Sequence, residues 1–136
     1  MSNIEYRRGA VYSLQFHIVW CTKYRRCVLN PGIMSVLNNI LAKIAKDNGC
    51  RIEELNYGPD HLHILLASDP EIRIPSLIKA LKGSSARLLF REFPDLKSSL
   101  WGGHLWNPTY FIATVSENTE QQIREYIRGQ DNGTGV

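Results

Sequence analysis

Residues 11–20 alternate in polarity, with Tyr12, Leu14, Phe16, Ile18 and Trp20 on one side and Ser13, Gln15 and His17 on the other. Successive side chains of a strand point to opposite faces, so this period of two predicts a half-buried β-strand. The period lengthens after Asn30-Pro31, an N-cap residue followed by a first-turn proline. Ile33, Val36, Leu37, Ile40, Leu41 and Ile44 then recur at helical spacing until Gly49. Residues 51–57 predict a second strand, in which Glu53-Glu54 breaks the alternation as a bulge or an edge would. Gly58-Pro59-Asp60 predicts a tight turn, so the apolar run that starts at His61 folds back as the second arm of a hairpin.

Asp69-Pro70 ends that run and Pro75 opens a second helix. Leu77, Ile78, Leu81, Ser85, Leu88 and Leu89 form its inner side, and Lys79, Lys82, Arg87 and Arg91 fall on the opposite half. Gly83-Ser84-Ser85 in its middle lowers helix propensity by roughly 1 kcal/mol, and small residues there leave room for a backbone or a nucleic-acid strand. Residues 94–108 predict a connector rich in aromatics and glycine, including Trp101 and Trp106, which either staple the loop to the core or stack on bases. Residues 109–115 predict another strand. A last helix follows, capped by Asn118 or Thr119, with Thr119 and Gln122 as a capping box and Ile123 and Ile127 facing inward. The tail from Asp131 is polar and glycine-rich, as at a frayed end.

The order strand, helix, strand, strand, helix, strand, helix predicts an α+β fold. It is the split βαββαβ antiparallel arrangement of ferredoxin-like and RRM-like domains, with a helix added at the end. In that topology the first and third strands are central, which places the histidine-bearing strand in the middle of the sheet. A length of 136 residues with 43% hydrophobic content suits one core, and a single domain over residues 1–136 is expected. There is no run of eighteen apolar residues and no leader pattern, which predicts a cytoplasmic protein with no membrane partner. Cys21, Cys27 and Cys50 include no CxxC pair and read as reduced thiols. A net charge of +3 permits a polyanionic partner without demanding one.

Candidate chemistry gathers at two places. On a strand, His61 and His63 share a face about 7 Å apart along the chain, close enough for two imidazoles to converge on one divalent ion, while Leu62, Ile64 and Leu66 anchor the other face. On the last helix Tyr126 and Gln130, four residues apart, share a side. Taken singly, each pattern also suits an ordinary structural strand or a half-buried helix stripe. Thr22-Lys23-Tyr24-Arg25-Arg26 mixes cations with an aromatic, a combination that contacts phosphates and stacks on bases, or lines a solvated strand end. His17 and His104 have no histidine at i+2 and read as structural.

Taken together, these words resemble the single-tyrosine HUH transposases, the TnpA-type enzymes of small insertion sequences that move as single-stranded DNA. The HUH motif is matched by His61-Leu62-His63, and the helical Tyr-x-x-x-Gln by Tyr126 and Gln130. Further matches are residues 17–26, Leu81-Lys82-Gly83-Ser84-Ser85, and residues 100–106 leading to Tyr110-Phe111, so that the resemblance spans nearly the whole chain. It implies the HUH fold, with Tyr126 as the nucleophile that forms a 5′-phosphotyrosine and leaves a free 3′-hydroxyl. A tyrosine with an ordinary pKa of about 10 is a weak nucleophile at neutral pH and needs a Lewis acid to polarise the phosphate. The resemblance supplies one, Mg2+ or Mn2+ held by His61, His63 and Gln130. It also implies single-stranded DNA with subterminal hairpins as substrate, and a homodimer in which the tyrosine helix of one subunit completes the histidine pair of the other. Lys23, Tyr24, Arg25, Arg26, Lys79, Lys82 and Arg87 are the candidate DNA contacts. The alternatives are a non-catalytic ferredoxin-like nucleic-acid-binding module and a domesticated relative that cuts chromosomal repeats.

Overall fold

The computed structural model describes residues 5–7, 10–12, 14–100, 103–115 and 119–130, with the backbone alone for 5–12 and 119. Its elements are β1 (Glu5–Arg7), β2 (Ala10–Tyr12), β3 (Leu14–Cys21), α1 (Pro31–Asp47), β4 (Cys50–Gly58), β5 (His61–Ser68), α2 (Ile74–Glu92), α3 (Pro94–Ser98), β6 (Phe111–Thr114) and α4 (Thr119–Gly129). The main sheet is antiparallel in the order β4-β5-β3-β6, so β3 and the histidine strand β5 are central, as the βαββαβ reading requires.

Two boundaries differ from the sequence reading. The alternation over residues 11–20 is not one strand, because the sheet strand starts at Leu14, opposite Ser68 at the end of β5. Beyond that point β5 offers no partner, and Ala10–Tyr12 pairs with Glu5–Arg7 as a separate hairpin. The stretch expected to be a plain connector also contains α3, where Pro94 opens a helical turn and Leu96 is buried against the core. Trp101, Gly102, the link 116–118 and the tail from Asp131 lie outside the described residues, and the expected Thr119–Gln122 capping box outside the described side chains.

Other local expectations hold. The Asn30 side chain accepts a hydrogen bond from the Ile33 amide at 3.0 Å and caps α1. The β4–β5 register shifts between Ile52 and Glu54, placing a bulge at the glutamate pair. Glu53 is used there, accepting a 2.5 Å bond from Gln15 Nε2 on β3.

The two faces of the sheet are chemically different. Ile18 and Trp20 of β3 and Leu62, Ile64 and Leu66 of β5 are fully buried. They pack in one cluster with Leu37 and Leu41 of α1 and Ile78, Leu81 and Leu89 of α2. At roughly 1.5–3 kcal/mol per buried aliphatic side chain, this layer holds the domain together. The opposite face carries the histidines, and α4 lies over it, touching β3 and β6.

Candidate active site

Strand register assembles the histidine face. Val19 lies opposite His63, Cys21 opposite His61, and Asn56 and Gly58 of β4 complete the same rows. Because paired residues point the same way, His17, two residues before Val19, reaches His63 diagonally. Its Nδ1 lies 2.7 Å from His63 Nε2, with ring centroids 4.9 Å apart. The sequence reading took His17 as structural for want of a histidine at i+2, but its partner lies across the sheet.

Burial lowers the pKa of His63, and the neighbouring His17 and His61 lower it further, while Glu54 and Glu120 oppose. Burial likewise lowers that of His17 against Glu54. Both rings are therefore neutral at neutral pH, and one nitrogen of the pair carries the shared proton. With Nε2–H donated to His17, His63 keeps its Nδ1 lone pair for another ligand.

His61 is oriented differently. Its Nδ1 donates to Asp60 Oδ1 at 2.9 Å, leaving the Nε2 lone pair unused by that contact. A carboxylate behind an imidazole is the usual support of a metal-ligating histidine. Asp60 in turn receives Arg25 Nε at 2.6 Å. Burial alone would raise the Asp60 pKa, but the hydrogen bonds and charges of Arg25 and His61 hold it below the ordinary value.

Arg25 also donates Nη1 to the Ile127 carbonyl of α4 at 3.1 Å, a cation at a helix C-terminus. One guanidinium thus ties the histidine hairpin to the tyrosine helix. The turn carrying Arg25 is strained to reach there, with positive φ at Tyr24 (56°) and at Arg25 itself (50°). It is pinned on both sides: Thr22 N donates to the Asp60 carbonyl at 2.9 Å and Lys23 N to the Leu105 carbonyl at 2.9 Å.

Tyr126 and Gln130 meet one short loop. Tyr126 Oη lies 3.2 Å from Thr109 Oγ1, and its ring stands 5.7 Å from that of Phe111. Gln130, just beyond α4, accepts a bond from Asn107 Nδ2 at 3.3 Å. Asn107 Oδ1 accepts from both Thr109 N and Thr109 Oγ1, closing an Asx turn. Burial raises the Tyr126 pKa. The Thr109 hydroxyl works against this, since it can turn to donate to the phenolate, and Cys21 adds to the rise.

The basic candidates part company. Lys79, Arg87 and Arg26 are exposed, as is Tyr24, with Lys23 Nζ 5.0 Å from its ring centroid. Arg25 and Lys82 are turned inward, contrary to their expected place as outward phosphate contacts. Lys82 Nζ donates to the backbone carbonyls of Asn107 at 2.5 Å and Thr109 at 3.0 Å.

For a divalent ion, no three His, Cys, Asp or Glu side chains gather as a metal group among the described residues. Among the described residues, a third donor beside two histidines would be of another kind. The Gln130 carboxamide oxygen, with a second lone pair beyond its bond to Asn107, is chemically suitable beside two imidazoles.

Comparison with known proteins agrees with this arrangement. The family model described as "Transposase IS200 like" matches residues 10–130. The chain belongs to the IS200-like transposase family. This transposase is 50% identical over 123 residues to the ISDra2 transposase TnpA of Deinococcus radiodurans, covering 90% of this chain and 88% of that one. It is 33% identical over 119 residues to the transposase for insertion sequence element IS200 of Salmonella typhimurium, covering 88% and 78%. A crystal structure of a transposase from Deinococcus radiodurans superposes with a TM-score of 0.87 at 48% identity, covering 93% of this chain and 97% of that one. The fold is shared with a REP-associated tyrosine transposase bound to a REP hairpin, with a TM-score of 0.57 at 16% identity, covering 97% and 75%.

Several supporting residues of this transposase escape a reading by motif. Asp60 and Asn107-Pro108-Thr109 carry signals that the motif reading did not use, an acid beside a histidine and an Asx-turn sequence. Their links to α4 carry no such signal. Gly58 matters for a steric reason: it faces His61 across the hairpin, and a Cβ there would overlap the ring, lying 3.0 Å from Nδ1 and 3.1 Å from Nε2. Gly58→Ala should leave the chain folded by circular dichroism but swing His61 off Asp60. The imidazole Nδ1–H resonance should be lost in nitrogen-15 spectra; an unchanged resonance would contradict the steric argument. For Tyr126, the ultraviolet difference titration between the native chain and Tyr126→Phe should show a phenol ionising above its ordinary pKa. Thr109→Val should move it higher still, since the hydroxyl that can serve the phenolate is gone.

Proposed function

We propose that this transposase, acting through one domain, cuts and rejoins single-stranded DNA by a phosphotyrosine intermediate on Tyr126. The observation that carries the reading is the placement of α4. It sets a phenol, anchored at Thr109, over the sheet face that bears His61 and His63. Tyr126 Oη attacks the phosphorus and its phenolic proton is lost. The bond from phosphorus to the 3′ oxygen breaks, and that oxygen leaves as a 3′-hydroxyl after taking up a proton. The 5′-phosphate stays on the tyrosine, so the energy of the broken linkage is kept. A second 3′-hydroxyl reverses the step, displacing Tyr126 and sealing the new junction without nucleotide hydrolysis.

His61, His63 and Gln130 would hold Mg2+ or Mn2+, which when bound supplies positive charge to the non-bridging phosphate oxygens. The chain's own residues do the rest. Asp60 orients His61, His17 holds the His63 ring through its Nε2, and Arg25 holds α4 beside them. Burial raises the Tyr126 pKa further above neutral, so the phenol meets the phosphate protonated and must lose its proton as it attacks.

The substrate we propose is single-stranded DNA with hairpins near the element ends. A fold shared with a hairpin-bound relative supports that choice, as do the exposed Arg26, Lys79 and Arg87. A non-catalytic module of RRM type would stack bases on the open sheet face. Here α4 covers that face, and its Phe111 is already against Tyr126. No helix among the described residues is long and apolar enough to cross a membrane, in keeping with work on cytoplasmic DNA.

We further propose a homodimer that exchanges α4. In the described chain the helix rests on its own sheet through Arg25, Asn107 and Thr109, and a second copy presents the same three partners.

Incubation with labelled single-stranded DNA from the ends flanking the gene and a divalent ion should give an adduct that survives denaturation. Tyr126→Phe should abolish it, whereas His61→Ala should remove cleavage with hairpin binding nearly intact; an adduct on Tyr126→Phe would overturn the mechanism. Mixing Tyr126→Phe with His61→Ala chains should restore part of the activity through exchanged helices. No recovery would mean that the site works within one chain.

A further inference from the structure

Lys82 belongs to α2, on the far side of the sheet from the histidines, and the motif reading placed it outward as a phosphate contact. The structure uses it otherwise. Its ammonium is half-buried, 5.9 Å from the ring centroids of both Trp20 and Tyr110. Two of its three N–H groups are committed to the carbonyls of Asn107 and Thr109. Charge-assisted bonds of this kind, shielded from water by aromatic faces, are strong for their number. They hold a segment whose side chains do different work: Asn107 Nδ2 reaches Gln130 and Thr109 Oγ1 meets Tyr126.

The rest of the loop is fixed from β3. Asn107 N donates to the Cys21 carbonyl at 2.9 Å, and Thr22 bridges to Trp106. The Trp106 indole donates to Ser85 Oγ at 3.0 Å, one turn along α2 from Lys82. Residues 105–107 are thus held by strand and helix, while the carbonyls of Asn107 and Thr109 accept from the lysine.

We propose that Lys82 is a positioning residue for the nucleophile: by gripping the Asn107 and Thr109 carbonyls it sets the loop on which Tyr126 and Gln130 are seated. This rests on the reading of Tyr126 as the nucleophile and adds to it a residue on the opposite side of the sheet. Burial lowers the Lys82 pKa to about 8, with Cys21 opposing, so the ammonium is charged at neutral pH and has given up hydration for these carbonyls. Two of its three N–H groups are thereby spent on its own chain rather than offered to a phosphate.

Two roles for one lysine separate cleanly by experiment. With hairpin-bearing single-stranded DNA from the flanking sequence, Lys82→Met in the full chain should slow Tyr126 adduct formation about 10- to 100-fold, the scale of a small misplacement of reacting groups. The hairpin Kd and its salt dependence should be unchanged. Placed on top of Asn107→Ala with Thr109→Val, the same change should cost less than about threefold more, since coupled residues are not additive. A loss of hairpin affinity with a salt slope reduced by about one, or full additivity, would overturn the proposal. If Lys82→Met does not fold, reductive methylation of the native chain decides. Lys82 should be labelled at the same rate with and without hairpin DNA, whereas labelling that hairpin DNA suppresses would overturn the proposal. Adduct formation by Tyr126→Phe would instead sink the parent mechanism, so the two failures are distinct.

Discussion

Every functional contact in this molecule depends on the register in which β3 lies against β5. Side chains along a strand alternate faces, so the pairing that sends Leu62, Ile64 and Leu66 into the helix-packed layer must send His61 and His63 to the other side. A slip of one residue would bury two imidazoles and expose three aliphatic side chains, a loss of several kcal/mol by area alone. The hydrophobic layer thereby enforces the geometry of the polar one. The same pairing brings His17 diagonally to His63, and the pairing of β4 with β5 puts Gly58 against the ring of His61.

Around that register, two cations do the work of struts. Arg25 spans from Asp60 to the end of α4, and Lys82 reaches past Trp20 and Tyr110 to the loop under Tyr126. Both come from stretches whose composition suggested nucleic-acid contact, and both are directed at carbonyl or carboxylate oxygens of their own chain. Cations left in water, such as Arg26 and Arg87, keep that surface role open. In the proposed mechanism, a positive charge placed among these oxygens would also moderate the field that a DNA phosphate meets.

Much of this was legible from residue order. Period-two alternation in β3 and β5, helical spacing in α1 and α2, the Asn30 cap and the bulge at the glutamate pair all follow from local chemistry. The His61/His63 pair and the spacing of Tyr126 and Gln130 were equally visible. Relations that need two distant segments at once were hidden. His17 has no histidine near it in sequence, and its partner is decided by strand register. Lys82 sits on the outer half of a helical wheel, yet residues 107–109 return over that part of the helix and enclose it. The start of β3 was misplaced because alternation continues through Tyr12 although β5 has already ended. α3 was missed because one helical turn carries no periodic signal.

The helix α4 is attached in a way that sets its thermodynamic independence. Among its described side chains Ile123 is the one that is buried, and the other ties are the ring contact of Tyr126 with Phe111 and polar contacts at Arg25, Asn107 and Thr109. Elements held by few apolar contacts open at free energies well below global unfolding. Here the layer formed by Leu37, Leu81 and Ile64 loses nothing when α4 lifts away. Departure of the helix is then a local fluctuation of an intact domain, and in the proposed mechanism a DNA strand joined to Tyr126 would travel with it as cargo.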